Sequence, residues 1–386
     1  MKVAIVGGGI SGFVSALKIN GDITIYESNS EPLKKLSVTG NGRCNFLNDD
    51  MNLDHYHSES NIKDYIQDDI KDTVLDFINE LEIAYKIKNG YYYPLSNKAT
   101  TIKNVLIYEA HKKNVNILLN EKVHNIEKLG NEFIINGKDK YDKVIISSGL
   151  GSYPQIGAST DGIKFASNMK HEIVPILPSL VPLTTEQYDW DGIRSDARIS
   201  LFVDGNKIHT EEGEIQLTSY GISGICVFNV SRYASIALAN KQDVYVCINF
   251  VPSISNIYTY LNNTKNTINI VLKRMINDKL ANIIMSNIDI PRNKTFSELT
   301  EDEKVILINE LTNFKLYVTG TMNYNQSQVT RGGVSLTNID SNFESKIVPG
   351  LYFTGEVLDV DGDCGGYNIA FAIYSAIKAS RGINND

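Results

Sequence analysis

The stretch from Lys2 to Glu27 confines this chain to a narrow set of folds. Apolar residues 3–6 run into Gly7-Gly8-Gly9, then Ile10 to Ile19 has helical character. A second apolar run, Ile23-Thr24-Ile25-Tyr26, ends in Glu27, 20 positions after Gly7. Strand, glycine-rich turn, helix, strand and acid, in that order, hold a dinucleotide. Gly7 allows the tight turn, and Gly9, lacking a β-carbon, lets the backbone approach a pyrophosphate. Gly12 lets the helix pack against the sheet, and the N–H groups opening that helix, around Ser11, face the phosphate charge. Glu27 is suited to accept hydrogen bonds from a ribose diol and to repel a 2′-phosphate. FAD or NAD is therefore favoured over NADP.

A chain of 386 residues can bury a sizeable core and suggests two or three domains. Its net charge of -8 argues against nucleic acid or an anionic membrane as the main partner. The lysines between Lys122 and Lys143 are interleaved with Glu127, Glu132, Asp139 and Asp142, as on a solvated face. No apolar run approaches the roughly 18 to 20 residues that span a bilayer, and the N-terminal apolar stretch breaks too early for a signal peptide. Cys44, Cys226, Cys247 and Cys364 show no paired spacing, so neither a disulfide framework nor a zinc site is expected. A cytoplasmic, metal-free protein with a small-molecule substrate is the expectation. Oligomeric state is not legible.

The polar stretch Ser28 to Ser60 is too long for an ordinary connection and is expected to be functional. Helical spacing covers Val74, Phe77, Ile78 and Leu81, and again Ile102, Val105, Leu106 and Ala110. Strand-like runs follow at 116–119, 122–126, 133–136 and 143–148, then a short helix over 162–169. The run near Val144 is apolar on both faces, as in a buried parallel strand. From about Ile173 short β-like runs suggest a small barrel or sandwich. Residues 257–313 read as helical, with Ile268, Val271, Leu272, Met275 and Ile276 on one stripe and acid-rich capping chemistry at 297–303. A buried strand at 350–355, a glycine-rich loop and a helix over 368–380 close the chain. The expected layout is discontinuous: a dinucleotide domain of residues 1–172 and 331–386, a β-barrel of 173–255 and 315–330, and a helical domain of 256–314.

Two further segments carry chemistry. In Thr39-Gly40-Asn41-Gly42-Arg43-Cys44-Asn45 the glycines permit N–H groups turned to one side as an anion nest, and Arg43 adds a fixed positive fork. In Gly355 to Asn368 a buried strand ends in Gly-Glu and a loop feeds a helix behind Gly365-Gly366. A helix N-terminus there suits the anion that builds at N1 and C2=O of a reduced flavin. An NAD enzyme does not need this element. Glu356 and Asp361 are read equally as ribityl or ring-edge contacts and as solvated loop acids. Gly149-Leu150-Gly151-Ser152-Tyr153-Pro154 begins like a second fingerprint but has Pro154 at the third glycine. Cys44 and Cys364 read as separate structural thiols rather than a redox pair, His55-Tyr56-His57 as a polar loop rather than a metal site, and Tyr91-Tyr92-Tyr93-Pro94 as aromatic packing.

On these residues the chain resembles the aminoacetone-oxidase-like bacterial flavoproteins, a family that includes a reductase proposed for bile-acid dehydroxylation. The likeness lies in 39–45, in Ser148-Gly149 with Ser152-Tyr153-Pro154 and Gly157, in Gly213-Glu214-Ile215, and in Ser219-Tyr220-Gly221-Ile222-Ser223-Gly224. It continues through Thr330-Arg331-Gly332-Gly333-Val334 and 350–368, and weakens at Gly224-Ile225 and Thr330-Arg331. The resemblance implies an α/β protein: a glutathione-reductase-like FAD-binding Rossmann domain with an inserted β-barrel and a small helical domain. It also implies tightly bound FAD, with Arg43, Cys44 and the loop from Gly355 to Ile369 around it.

The expected cofactor residues are therefore Gly7, Gly9, Ser11, Gly12, Glu27 and Ser28; Lys35, Gly42, Arg43 and Cys44; Val123, Ser148 and Gly149; and Gly355, Glu356, Asp361, Gly366, Tyr367, Asn368 and Ile369. Arg43 and Tyr367 are the catalytic candidates. The expected activity is hydride transfer between flavin N5 and a small organic substrate, with NAD(P)H a candidate transient donor. The alternatives are an NAD-dependent dehydrogenase and a non-catalytic flavin-binding redox sensor.

Overall fold

A computed structural model describes residues 1–186 and 188–385 of the chain and divides it into two compact units, Met1–Leu177 with Gln328–Asp386, and Pro178–Ser327. The first unit is built on a five-stranded parallel sheet. Its order is Leu351–Phe353, Lys143–Ile146, Lys2–Val6, Asp22–Glu27 and Asn116–Leu119. Val6 lies between Tyr26 and Ile146, and Ile146 lies beside Phe353. The inner strands are covered on both sides: Ala4, Ile5, Ile145, Ile146, Tyr352 and Phe353 are all fully buried, which is why these segments lack a polar face. Helices Ile10–Lys18 and Tyr367–Asn385 pack against each other. The Ser380 hydroxyl donates to the Ser15 carbonyl at 3.4 Å, so the two ends of the chain are joined.

The segment read as polar and functional folds into short pieces. A helix over Lys34–Gly42 is broken at Thr39, Gly40 and Asn41, the last two with left-handed backbone. Strand Leu47–Asn48 pairs with Tyr91–Tyr92, and Tyr56–His57 pairs antiparallel with Asp361–Gly362. The strand expected over 122–126 starts only at Ile126. The Asn136 side chain takes the N–H groups of His124 and Asn125 and donates to the Lys122 carbonyl, leaving those residues no ladder to join.

The second unit holds a closed antiparallel barrel, with Leu183–Thr185, Gly221–Ser223, Asn206–Thr218, Ile193–Val203, Val244–Asn249 and Phe314–Thr321 as successive staves. Helices between Ile257 and Thr312 share one apolar core with it. The last of them, Glu301–Thr312, opens on a capping box: Glu303 N–H donates to Thr300 Oγ1, and Thr300 N–H donates to the Glu303 carboxylate. Helix Ile225–Ala239 was not anticipated. It buries Cys226, Val227, Val230, Ser231, Ala234 and Ser235 on one face, but Ile225, Phe228 and Ile236 on the other side are apolar too, so no polar stripe marks its period. Gly224 before it has φ +108, and a β-carbon there would meet the Glu214 carbonyl at 2.3 Å.

Candidate functional site

The glycine turn explains itself atom by atom. Gly7 has φ +116, and a β-carbon on it would stand 2.6 Å from the Ser147 carbonyl oxygen. On Gly12 it would lie 2.1 Å from the Gly7 oxygen, because the helix start presses on the turn. Gly9 differs: its φ is -80, and the nearest protein atom to a β-carbon there is 3.9 Å away. The backbone is bare on that side, which suits a pyrophosphate at a helix N-terminus. Glu27 is only 8 % exposed; its Oε2 accepts from Gly8 N–H at 3.0 Å and its Oε1 from Asn29 N–H at 2.7 Å. Ser28 Oγ is 3.5 Å from the same Oε1. Glu121 N–H donates to the Glu27 carbonyl at 3.0 Å, and Val123, two residues on, is buried.

The C-terminal loop meets this turn. Gly355, at φ +71, lies so close to the first helix that a β-carbon would be 2.8 Å from Ser11 Oγ. Its N–H donates to Ser375 Oγ at 2.9 Å. Glu356 is a hub. Its Oε1 accepts from Ser152 Oγ at 2.8 Å and from Thr330 N–H at 2.9 Å, while Lys35 Nζ pairs with its Oε2 and donates to Ser152 Oγ at 2.6 Å. Ser148 and Gly149 follow Ser147, whose Oγ donates to the Gly7 carbonyl at 2.9 Å, and Ser148 Oγ lies against Gly162.

Other expected residues have different surroundings. Arg43 is exposed, its guanidinium carbon 5.5 Å from the Tyr93 ring centroid and its Nε donating to the Gly40 carbonyl at 3.2 Å. Cys44, at φ 57, is fully buried, and burial pushes its thiol up to about 12; burial and the neighbouring Asp363 push Cys364 up to about 11. Gly366 makes its close approach to Leu47, whose backbone a β-carbon would meet at 2.8 Å. Asn368 clamps Gly362, accepting its N–H at 2.9 Å and donating to its carbonyl at 2.7 Å. Asp361 is buried in the small sheet with His57, and Ile369 is half-buried one turn into the helix. Tyr367 is buried, its ring stacked on His55 at 4.6 Å, and burial raises its phenol further above the usual tyrosine range.

Two clusters went unread in the sequence. Asp359 is fully buried; its Oδ2 accepts from Ser58 Oγ at 3.0 Å and Glu59 N–H at 2.8 Å, and burial raises its carboxyl. Arg331, 4 % exposed, pairs with Glu59 beside it. The signal was an acid inside the apolar run Val357-Leu358-Asp359-Val360. Asp363 takes His55 on one carboxylate oxygen and His57 on the other, both at 2.9 Å. His55 closes a short 3-10 turn, Leu53–His55, and His57 ends the two-residue strand that follows it.

FAD fits the residues present. The open side of Gly9 offers the pyrophosphate cradle, the Glu27 carboxylate keeps acceptor capacity for a ribose, and the buried Asn45 Oδ1 and Thr354 Oγ1 lack a protein partner. Orphaned buried acceptors of that kind call for a ligand or water. Among the described residues no His/Cys/Asp/Glu group has metal-holding geometry. None of their helices is long and apolar enough to cross a membrane.

A parallel Rossmann sheet with an inserted barrel and this dinucleotide turn define an FAD-dependent oxidoreductase. Residues 1–382 match the HI0933-like protein Rossmann domain, and the chain belongs to that family. It is 30% identical to the 3-dehydro-bile acid delta(4,6)-reductase of Clostridium scindens, over 98% of each chain. It is 29% identical to the ribosomal RNA dihydrouridine synthase of Escherichia coli, over 96% of this chain and 95% of that one. Among solved structures, 3-ketosteroid delta1-dehydrogenase from Sterolibacterium denitrificans aligns over 99% of both chains at 11% identity with a TM-score of 0.49.

Proposed function

We propose that this protein reduces a carbon–carbon double bond conjugated to a carbonyl, with NAD(P)H as transient donor to the flavin. The observation that supports the flavin part is the contact of Ser11 with Gly355, which sets the dinucleotide turn and the C-terminal loop side by side. The bond type comes from the relatives. A Δ4 bond beside a 3-oxo group and the C5=C6 bond of uridine are both electron-poor alkenes next to a carbonyl, and the two named reactions meet there.

Bound FAD supplies two-electron hydride chemistry at N5. On the protein side, Gly7 to Gly12 and Glu27 hold the adenylate half, and Lys35, Ser152 and Glu356 fix the start of the C-terminal loop. Arg43 and Tyr367 remain the catalytic candidates. The net charge of -8 favours a small molecule, whereas the relatives named for ribosomal RNA make an RNA uridine the rival substrate.

The test is anaerobic reduction of the FAD-loaded chain with NADH or NADPH, then reoxidation against conjugated steroid ketones, small enones, amines, quinones and unmodified ribosomal RNA. Reoxidation accelerated by an enone supports the proposal. Acceleration by RNA alone moves the substrate to uridine. Acceleration only by amines or quinones, or by nothing, refutes the bond assignment.

A further inference from the structure

The turn that opens the C-terminal helix is tied down by two imidazoles on one carboxylate. Its backbone is already held: Asp363 N–H donates to the His55 carbonyl at 3.0 Å, and the Tyr56 hydroxyl donates to the Tyr367 carbonyl at 3.0 Å. Over this lies the side-chain bridge, with His55 Nδ1 on Asp363 Oδ2 and His57 Nε2 on Asp363 Oδ1. The ring of His55 stacks on Tyr367 with an interplanar angle of 24°. Asp363 is followed directly by Cys364, Gly365 and Gly366, with φ +144 and +102 at the two glycines, a backbone with little rigidity of its own.

We propose that Asp363 is a positioning residue, which sets the Cys364–Tyr367 turn through a proton-linked bridge to His55 and His57 and, through the stacked His55, fixes the Tyr367 ring. The proposal rests on the reading that this turn helps hold the flavin.

The surrounding groups leave the imidazoles in control. Asp363 is partly buried, which opposes ionisation, but the hydrogen bonds from His55 and His57 outweigh this and bring it down to about 2. The hydrogen bond to Asp363 holds the His55 proton to a higher pH than usual, against the effect of burial and with help from Asp50, 3.3 Å from its Nε2. Asp50 is itself lowered, and Lys71 stands behind it. Burial raises Tyr56, Tyr91 and Tyr367, and Cys364 lies at about 11, so none of these changes charge between pH 5 and 9. The bridge is an ion pair while His55 is protonated, and as pH rises through the His55 titration it weakens to a hydrogen bond from a neutral imidazole to the still ionised Asp363.

The experiment follows amide hydrogen exchange of residues 364–370 in the flavin-free chain from pH 5.5 to 8.5, corrected for intrinsic rates, together with FAD affinity by fluorescence quenching. The native sequence should lose roughly threefold to tenfold in both protection and FAD affinity over that range, the scale expected when the donor of a hydrogen bond to a carboxylate loses its charge. Asp363→Asn should flatten both profiles at the high-pH level. An unchanged slope in D363N, or a flat native profile, overturns the proposal. Should D363N fail to fold by circular dichroism, His55→Gln and His57→Gln decide: at least one must lose the slope, and its retention in both is contrary. Failure of the native chain to bind FAD at any pH would sink the flavin reading, while the exchange profile still judges the bridge.

Discussion

Gly355 lies so near Ser11 that a single added β-carbon would stand 2.8 Å from the serine hydroxyl oxygen, although 344 residues separate the two in sequence. In the proposed reading that contact closes the cofactor site. Gly355→Ala adds a clash and a left-handed φ of +71 that alanine tolerates poorly. A loss of about 1 to 3 kcal/mol is expected. Thermal melts and bound-flavin content should fall together; an unaltered flavin content would separate Gly355 from the cofactor.

Gly9 and Gly12 should part company. Gly9→Ala meets nothing nearer than 3.9 Å, so the flavin-free fold should change by no more than about 0.5 kcal/mol while FAD affinity drops at least about tenfold. Gly12→Ala, with a β-carbon 2.1 Å from the Gly7 oxygen, should destabilise the protein itself by more than about 2 kcal/mol. Urea unfolding without flavin distinguishes them, and equal loss in both would contradict the open cradle at Gly9.

Much of this was legible because the deciding residues are local. The tasks of Gly7 and Gly12 follow from a turn and a helix start a few positions apart, and the parallel strands announce themselves by burial on both faces. What was not legible depends on partners far along the chain. Nothing near Arg43 reveals that its guanidinium turns to Tyr93, nor does anything near Asn368 show that its amide is engaged with Gly362. The helix over 225–239 escaped notice because its buried residues leave no polar stripe to set the period. His55 and His57 read as a polar loop, since the acid that unites them is Asp363.

The two thiols near the site should be inert. With Cys44 pushed up to about 12 and Cys364 to about 11, almost no thiolate exists at neutral pH. Iodoacetamide at pH 7.5 should leave both unmodified until the chain is unfolded, and Cys44→Ser with Cys364→Ser should leave reduction of bound flavin within about twofold. Rapid alkylation, or a flavin that no longer accepts electrons, would restore the redox-pair alternative.

Asp359 carries a pH signature. Its carboxyl is raised in the folded protein, chiefly by burial, so the folded state holds that proton longer than the unfolded chain does. Stability from this group therefore falls as pH rises from the ordinary carboxylate value through the folded one. Asp359→Asn removes that loss, so the stability of the variant relative to the native protein should climb as pH rises above the ordinary carboxylate value of about 4. Calorimetry from that pH upward checks it, and a relative stability that declines with pH would reverse the assignment.

The decisive measurement is the flavin content of the purified and FAD-reconstituted chain, read by absorbance and by release on denaturation. One FAD per chain is expected, with bands near roughly 370 and 450 nm, and Gly9→Ala should lose it while keeping its circular dichroism. A colourless native protein that takes up no flavin on reconstitution, or binds NAD in its place, would contradict the account.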